Sequence, residues 1–189
     1  MGRTREATLS GAVRAVAKYG SRKATMGDIA MIAGVAKATL YNHFRTRDDV
    51  YAAAIEAEVD AIAAAALARL AEGLNVAISE AARQIADHPA VRRIARDEPA
   101  VLAALATPGT SSGWVQARAH IGTALESAGY RNAGPHVELV LRYLASLLLS
   151  PSDDLERTAC ARLLNEAVAG EVAAPDGSMH DLGAAVTVG

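Results

Sequence analysis

The chain has 189 residues, a formal net charge of −2 and a single cysteine. This length allows one or two small domains with real cores, and the lone cysteine excludes an intramolecular disulfide. No run of 18 consecutive apolar residues predicts a transmembrane helix, and the first residues lack the apolar segment of a secretory signal. We therefore expect a soluble, cytoplasmic protein without a membrane partner.

Charge is distributed unevenly along the chain. Residues 1–50 hold nine Lys and Arg against four Asp and Glu, whereas the remainder holds ten against seventeen. A basic N-terminal part on an acidic body is typical of a localised phosphate-binding surface. Long Ala-, Leu- and Val-rich stretches without alternating polar and apolar residues predict an all-α fold.

The first helix is predicted over about residues 4–19, with an apolar stripe that faces a core and Gly20 at its end. Arg3 and Arg5 precede it. Contact with a phosphate or the minor groove and simple solvation fit these two arginines equally well.

Residues 25–47 predict two short helices joined by a glycine turn. Thr25 is a good N-cap, and Asp28 three residues later completes a capping-box pattern. Gly34 suits a left-handed turn position. Leu40 and Phe44 are four residues apart, so they share the inward face of a second helix over about residues 37–44. This pattern indicates a helix-turn-helix.

The other faces of the second helix carry the groups expected of a DNA reader. Lys37, Ala38, Tyr41, Asn42 and Arg45 are predicted to point outward. Lys and Tyr can reach phosphates, Asn can bond a base edge, and a small residue allows close approach to the duplex. We therefore predict that this helix enters the major groove.

A long helix is predicted from Thr46 to about residue 71, with Gly73 beyond its end. Thr46 and Asp49 repeat the capping device. Arg47 lies in the first turn, where the helix dipole disfavours a cation, so we expect it to contact a phosphate. Because this helix starts beside the DNA reader and continues into the body, it is a mechanical link between them.

These residues resemble the TetR family of transcriptional repressors. The family pattern is matched by Thr25, Ile29, Ala30, Ala33, Gly34, Val35, Thr39, Leu40, Tyr41, His43, Phe44 and Arg47. The resemblance implies DNA contact by Thr25, Lys37, Thr39, Tyr41, Asn42, His43 and Arg47. A partly packed Tyr41 and a half-buried, hydrogen-bonding His43 are the structural alternatives.

Two positions depart from the family pattern. Ala36 stands where Ser or Thr is usual, so the second helix lacks a side-chain cap, at a cost of about 0.5–2 kcal/mol. Ala38 stands where Gly is common, and its methyl group could meet a thymine methyl. Both departures leave the operator sequence open.

The body is predicted to be a helical bundle. Helices are expected at about residues 75–86, 89–95, 98–106, 114–128, 135–149 and 151–169, with breaks before Pro89 and Pro99. Residues 107–113 form the clearest loop. The chain thus divides into a DNA-binding domain over 1–49, an effector-binding and dimerisation domain over 50–170, and a tail over 171–189.

The last two predicted helices carry more apolar surface than one buried stripe requires. We predict a homodimer through a four-helix bundle, which the family resemblance also implies; a large monomeric core is the alternative. The interface residues are predicted to be Val137, Val140, Leu141, Leu144, Leu148, Cys160, Leu164 and Val168. Cys160 is read as a small hydrophobic residue rather than a redox sensor.

The resemblance also implies a small-molecule pocket in the body. Its predicted wall residues are Leu67, Ile78, Ile85, Val101, Leu105, Trp114, Arg118, Ile121 and Tyr143. A wall of this composition favours a hydrophobic effector with few polar anchors.

The sequence shows no catalytic constellation, no His or Cys pair of metal-ligand spacing and no glycine-rich phosphate loop. We therefore expect neither an enzyme nor a cofactor or metal. Arg92, Arg93 and Arg96 form a basic cluster, for which a solvated face or ion pairing with Asp97, Glu98 or the head is favoured over binding of an anionic ligand. Asp87 and His88 are read as a helix-end polar pair.

The predicted function is a ligand-responsive transcriptional regulator, acting as a repressor. A homodimer would place two recognition helices in successive major grooves of a pseudo-palindromic operator, about 34 Å apart, and an effector would release it. One alternative is a small-molecule-binding bundle whose head binds DNA weakly or without specificity. A helical enzyme is the other.

Overall fold

The computed structural model describes residues 2–130, 133–150 and 152–170. Within these residues the fold is all-α, with ten α-helices and one short 3-10 helix. In chain order the α-helices are α1 Gly2–Tyr19, α2 Met26–Ala33, α3 Lys37–His43, α4 Arg47–Ala68, α5 Leu74–Asp87, α6 Pro89–Asp97, α7 Pro99–Ala106, α8 Ser112–Ser127, α9 Gly134–Leu149 and α10 Asp154–Gly170. The predicted tail lies outside the described residues.

Helices α1, α2 and α3 form a head with the first turns of α4. Leu40 is fully buried and Phe44 is 7% exposed, so the predicted inward face of α3 is confirmed. Both side chains belong to an apolar core that also contains Leu9, Ile29 and Val50. Burial of these side chains orients α3, because a seven-residue helix is too short to be stable alone.

The predicted helix ends in the head are confirmed. Thr25 caps α2 and Thr46 caps α4, and each forms a complete capping box with the aspartate three residues later. Gly34 ends α2 in the left-handed conformation at φ 69°. Ala36 makes no side-chain cap to α3. The entry and exit of α2 are thus fixed by local sequence, whereas α3 depends on its anchors.

Helix α4 links the head to the body, as predicted. Its first turns lie in the head core, and the rest packs against α5 and α8. It ends at Ala68, three residues before the predicted end, because the chain tightens into a 3-10 helix over Leu70–Glu72. Gly73 then turns the chain at φ 132°.

The body has two apolar clusters. One joins α5, α8, α9 and α10 around Leu74, Leu125 and Val140. The other joins Val16 of α1 to Ile94 of α6 and to residues of α7. This second cluster crosses from the head into the body, so the two parts share buried surface besides the continuity of α4.

Proline and aspartate set the breaks between the body helices. Pro89 and Pro99 each occupy a first-turn position, as predicted. The predicted start of the last helix, residue 151, lies outside the described residues; α10 begins at Asp154, where the Asp153 carboxylate accepts the Glu156 amide at 2.9 Å. No helix among the described residues is long and apolar enough to cross a membrane.

Candidate nucleic-acid interface

Helix α3 presents its predicted DNA-contacting side to solvent. Lys37, Ala38, Asn42 and His43 are exposed, and Tyr41 is 45% exposed although it is a large aromatic residue. His43 is therefore exposed rather than half-buried, whereas the exposure of Tyr41 fits the partly packed side chain considered from the sequence. A row of exposed polar and aromatic groups on a helix that is anchored from behind can enter a groove.

Cationic and aromatic groups meet at the exposed side of α3. The Lys37 Nζ lies 6.0 Å from the centroid of the Tyr41 ring, which places an ammonium group beside a phenol. The Arg5 guanidinium lies 5.8 Å from the Phe44 ring centroid, so the start of α1 lies against the end of α3. Arg5 is exposed there.

The two predicted contact threonines differ in availability. The Thr25 hydroxyl accepts the Asp28 amide at 3.1 Å and donates to the Asp28 carboxylate at 2.6 Å. The hydrogen bonds that the Thr25 hydroxyl and the Thr25 backbone amide donate to this carboxylate lower the pKa of Asp28 below its ordinary value. Thr39 is half-buried within α3. For both residues DNA contact remains a prediction, and capping of α2 is the role that the structure shows for Thr25.

Arg47 has an internal role that the sequence analysis missed. Its Nη1 donates to the backbone carbonyls of Arg22 at 3.1 Å and Ala24 at 3.4 Å. The guanidinium also lies 5.5 Å from the Tyr51 ring centroid. The side chain stays 39% exposed, so a phosphate contact remains a prediction. The Arg-to-Tyr spacing of four residues was the available signal.

The predicted effector-pocket residues fall into separate groups. Ile78, Ile121 and Tyr143 belong to the α5–α8–α9–α10 cluster, whereas Val101 and Leu105 belong to the cluster shared with α1. Leu67, Ile85 and Trp114 are half-buried. A single pocket wall containing all nine residues therefore stays a prediction.

Arg118 is already paired. Its Nε lies 2.6 Å from the Glu138 carboxylate, and its Nη1 donates to the Gly109 carbonyl at 2.8 Å. The pair with Arg118, and a second one with Arg142, lower the pKa of Glu138. Arg118 therefore ties α8 to α9 and to the preceding loop, and an effector that used it as an anchor would have to replace these partners.

The predicted dimer residues require a correction. Val140, Leu141 and Val168 are at most 3% exposed within a single chain, because this side of α9 and α10 packs on α5 and α8. They leave no surface for a partner. The other predicted interface residues, Val137, Leu144, Leu148, Cys160 and Leu164, are half-buried.

Another side of the same helices remains apolar and exposed. On α10, Leu155 is 83% and Leu163 57% exposed, and Ala159 and Ala167 complete a row with four-residue spacing. On α9, Leu139 is 43% and Leu149 57% exposed. The excess apolar surface noted in the sequence is real, but different residues carry it.

The predicted ion pairing of the arginine cluster is confirmed. Arg92 lies 2.5 Å from Asp87, Arg93 lies 2.6 Å from Asp97, and Arg96 also pairs with Asp97.

The predicted helix-end role of His88 is also present. Its Nδ1 accepts the Val91 amide at 3.4 Å, which caps α6, and its Nε2 lies 3.0 Å from Glu58 of α4.

A capped helix, a left-handed glycine and a short anchored helix with an exposed polar side define a helix-turn-helix protein. Residues 9–54 match the family model described as bacterial regulatory proteins, tetR family. These residues, which cover α2, α3 and parts of α1 and α4, are thus similar to the N-terminal domain of the tetR family. No curated protein matches the chain in sequence.

Solved structures extend the likeness over most of the chain. The TetR-family repressor AlkX from Dietzia sp. superposes with a TM-score of 0.69 at 18% identity, covering 88% of this chain and 95% of AlkX. A TetR-family regulator from Rhodococcus sp. gives 0.61 at 19% identity, covering 89% and 99%. The fatty acid degradation regulator FadR from Bacillus halodurans gives 0.57 at 17% identity, covering 87% and 93%. Most of the chain thus shares its fold with these TetR-family regulators.

Proposed function

We propose that this protein is a transcriptional repressor that binds a pseudo-palindromic operator as a homodimer in the cytoplasm. A small, mainly hydrophobic effector would bind the body and release the DNA. The observation that carries the proposal is the geometry of α3: Leu40 and Phe44 hold it from behind, while Lys37, Tyr41 and Asn42 face solvent.

The charges of the head support DNA as its partner. Lys37 and Arg45 on and after α3 are exposed, as are Arg3 and Arg5 at the start of α1. Among the described residues, none of these four cations has an ion pair within 4 Å. Lys and Arg side chains that have no ion pair and lie beside a helix that can enter a groove supply the phosphate-binding energy that every duplex-binding protein needs. Asn42 and Ala38 are then in a position to read base edges.

The apolar row on α10 supports a dimer. Leu155 and Leu163 on α10 and Leu139 and Leu149 on α9 are exposed in the single chain, and burial of apolar surface is favourable by about 25 cal/mol per Å². A twofold axis beside these helices would bury each row against its copy and set the separation of the two heads. We therefore propose Leu139, Leu155 and Leu163 as interface residues in place of the buried ones predicted from the sequence.

The effector is proposed to be apolar because the predicted pocket-wall residues of the body are mainly Leu, Ile and Val. AlkX is described as implicated in the biodegradation of n-alkanes and FadR as a regulator of fatty acid degradation. Likeness to these two proteins supports testing long-chain compounds first. An effector that binds the released state with about 1.4 kcal/mol more favourable free energy would weaken operator binding tenfold.

We retain the proposed division into a head over residues 1–49 and a body over residues 50–170. The apolar cluster shared by α1, α6 and α7 argues that the two parts are docked rather than flexibly linked. Docking is what allows an event in the body to alter the spacing of the heads.

The decisive experiment is selection of bound duplexes from a random pool with the full chain, followed by fluorescence anisotropy on the enriched site. Lys37→Ala and Tyr41→Ala should each weaken operator binding at least tenfold without a change in thermal unfolding, because both side chains are exposed. Lys37→Ala should also reduce, by about one unit, the slope of the logarithm of the operator binding constant against the logarithm of the salt concentration. Arg162→Ala, an equally exposed cation on α10, is the matched control.

Unchanged affinity of both α3 variants would contradict the assignment of α3 as the recognition helix. The missing cap at Ala36 favours one alternative, a small-molecule-binding protein whose head holds DNA without sequence preference. Retention of duplexes without sequence enrichment would support that alternative.

A further inference from the structure

Side chains from α4, from α6 and from the α6–α7 break hold the turn between α1 and α2, residues 20–24, and the adjacent end of α1. From α4, the Tyr51 hydroxyl donates to the Ser21 carbonyl at 3.0 Å, and Arg47 donates to the carbonyls of the same turn. From the body, Arg93 of α6 donates to the Lys18 carbonyl at 2.9 Å. The turn therefore depends on contacts from outside its own sequence.

A further contact comes from Glu98, at the break between α6 and α7. Glu98 is 8% exposed, and its carboxylate accepts the Ser21 hydroxyl and, at 3.2 Å, the Arg22 amide. Gly20 has φ 85°, and a Cβ at that position would overlap the Glu98 Oε1. A glycine thus supplies both the left-handed turn and the space for the carboxylate.

Glu98 is ionised in its site. Burial by itself would raise the pKa of this carboxyl, but the hydrogen bonds from Ser21 and Arg22 outweigh burial and hold the pKa below its ordinary value. Desolvating a carboxylate is costly, and an apolar residue of similar size is often as stabilising as a buried polar contact. The contact is therefore better explained by where it places the turn than by stability alone.

The position of this turn determines the position of the DNA reader. Helix α2 begins at Met26, two residues after the turn, and Gly34 connects α2 directly to α3. The break that carries Glu98 is also part of the body, since its backbone carbonyl accepts the Val101 amide of α7 at 2.9 Å. One side chain thus connects the α6–α7 break to the path that leads to α3.

We propose that Glu98 is a positioning residue that fixes the α1–α2 turn, and with it α2 and α3, in the orientation that binds DNA. The proposal rests on the proposed DNA-binding function. Displacement of the α6–α7 break would withdraw the carboxylate and leave the turn free to adopt other conformations. Operator affinity would then fall in proportion to the fraction of heads that remain correctly oriented.

The expected effect is about a tenfold weaker operator affinity for Glu98→Ala, which corresponds to a competent fraction of roughly one tenth. Glu98→Gln should stay within about threefold of wild type. Its amide oxygen can accept the Arg22 N–H while its amide nitrogen donates to the Ser21 hydroxyl oxygen. Ser21→Ala removes one of the two donors and should weaken binding several-fold.

The test measures operator Kd by fluorescence anisotropy for these variants of the full chain, at a temperature where each is folded by circular dichroism. Glu138→Ala is the matched control, because that glutamate also bridges body helices but does not touch the head. The double variant of Ser21→Ala and Glu98→Ala should bind no more weakly than Glu98→Ala alone, since both substitutions remove one shared contact.

Amide exchange of residues 20–25 gives a second readout, in which Glu98→Ala should accelerate exchange and Glu138→Ala should not. An operator affinity for Glu98→Ala within twofold of wild type, or additive effects of the two substitutions, would overturn the proposal. A lowered melting temperature alone would show a structural role and would overturn it also. If the wild type selects no operator, the proposed function fails. Unchanged amide exchange of residues 20–25 in Glu98→Ala would then refute the idea that Glu98 holds the turn, and faster exchange would support it.

Discussion

Replacing Ala36 with serine should stabilise the protein, which is an uncommon outcome for a single substitution. Ala36 precedes α3 in the extended conformation, with φ −65° and ψ 142°, and makes no side-chain cap. In the same chain Thr25 and Thr46 accept the amide three residues later at 3.1 Å in each case. A serine at position 36 is placed to accept the amide of Thr39 in the same way.

The size of the gain follows from the cost of a missing cap. An N-cap side chain is worth about 0.5–2 kcal/mol, typically about 1 kcal/mol. Ala36 is exposed, so the added hydroxyl displaces no packed atom and meets no steric penalty. For a chain of this size a gain of 1 kcal/mol raises the melting temperature by about 2–4 °C.

The assay is urea unfolding followed by circular dichroism, with Ala38→Ser as the matched control. Ala38 is also exposed but lies inside α3, where serine has a lower helix propensity than alanine by a few tenths of a kcal/mol. The same chemical change should therefore raise the free energy of unfolding at position 36 and lower it at position 38. A loss at position 36, or equal effects at both positions, would refute the assignment of Ala36 as an unfilled N-cap.

Three further predictions concern the anchor, the dimer surface and acid. Leu40→Ala should lower the free energy of unfolding by about 2–5 kcal/mol in urea, because Leu40 is fully buried; a change below 1 kcal/mol would contradict that burial. Leu163→Asp should shift the protein from dimer to monomer in light scattering, and an unchanged mass would exclude this row as the interface. The capping threonines lower the pKa values of Asp28 and Asp49 in the folded protein. The two carboxylates therefore stabilise the fold fully above the ordinary aspartate pKa of about 3.9, and this stabilisation is lost as the pH falls through their folded pKa values. Stability measured from pH 5 to pH 3 should therefore decrease, and a flat profile would contradict the capping boxes.

Local chemistry in the head was readable from the sequence. The pattern at Thr25, Asp28 and Gly34 uses interactions between residues at most a few positions apart, and the structure has each of them. The four-residue spacing of Leu40 and Phe44 likewise identified the buried side of α3. Such features depend on backbone geometry that neighbouring residues impose, so no knowledge of tertiary contacts was needed.

Features that depend on long-range packing were not readable. Helices α9 and α10 are apolar on more than one side, and hydrophobic content alone does not say which side meets α5 and α8. Val140 was therefore assigned to a dimer and lies in the core, whereas Leu163 is exposed. The contact of Glu98 with Ser21 joins residues 77 positions apart, and the Glu-Pro pair was recognised only as a helix break.

Ion pairing explains how an acidic chain can present a basic surface. Among the described residues, the body arginines pair with carboxylates within 4 Å, as at Arg83, Arg92 and Arg142, whereas in the head only Arg47 has such a pair. The net positive charge of the head is thus unneutralised, while the excess carboxylates of the body repel a duplex. Under the proposed function this asymmetry would orient the head toward DNA during encounter, since opposite fields on two ends of a molecule steer association. The orienting effect acts over about a Debye length, roughly 10 Å at 0.1 M salt. Added salt should therefore slow association of the head with DNA before it disturbs the contacts proposed for Lys37 and Tyr41.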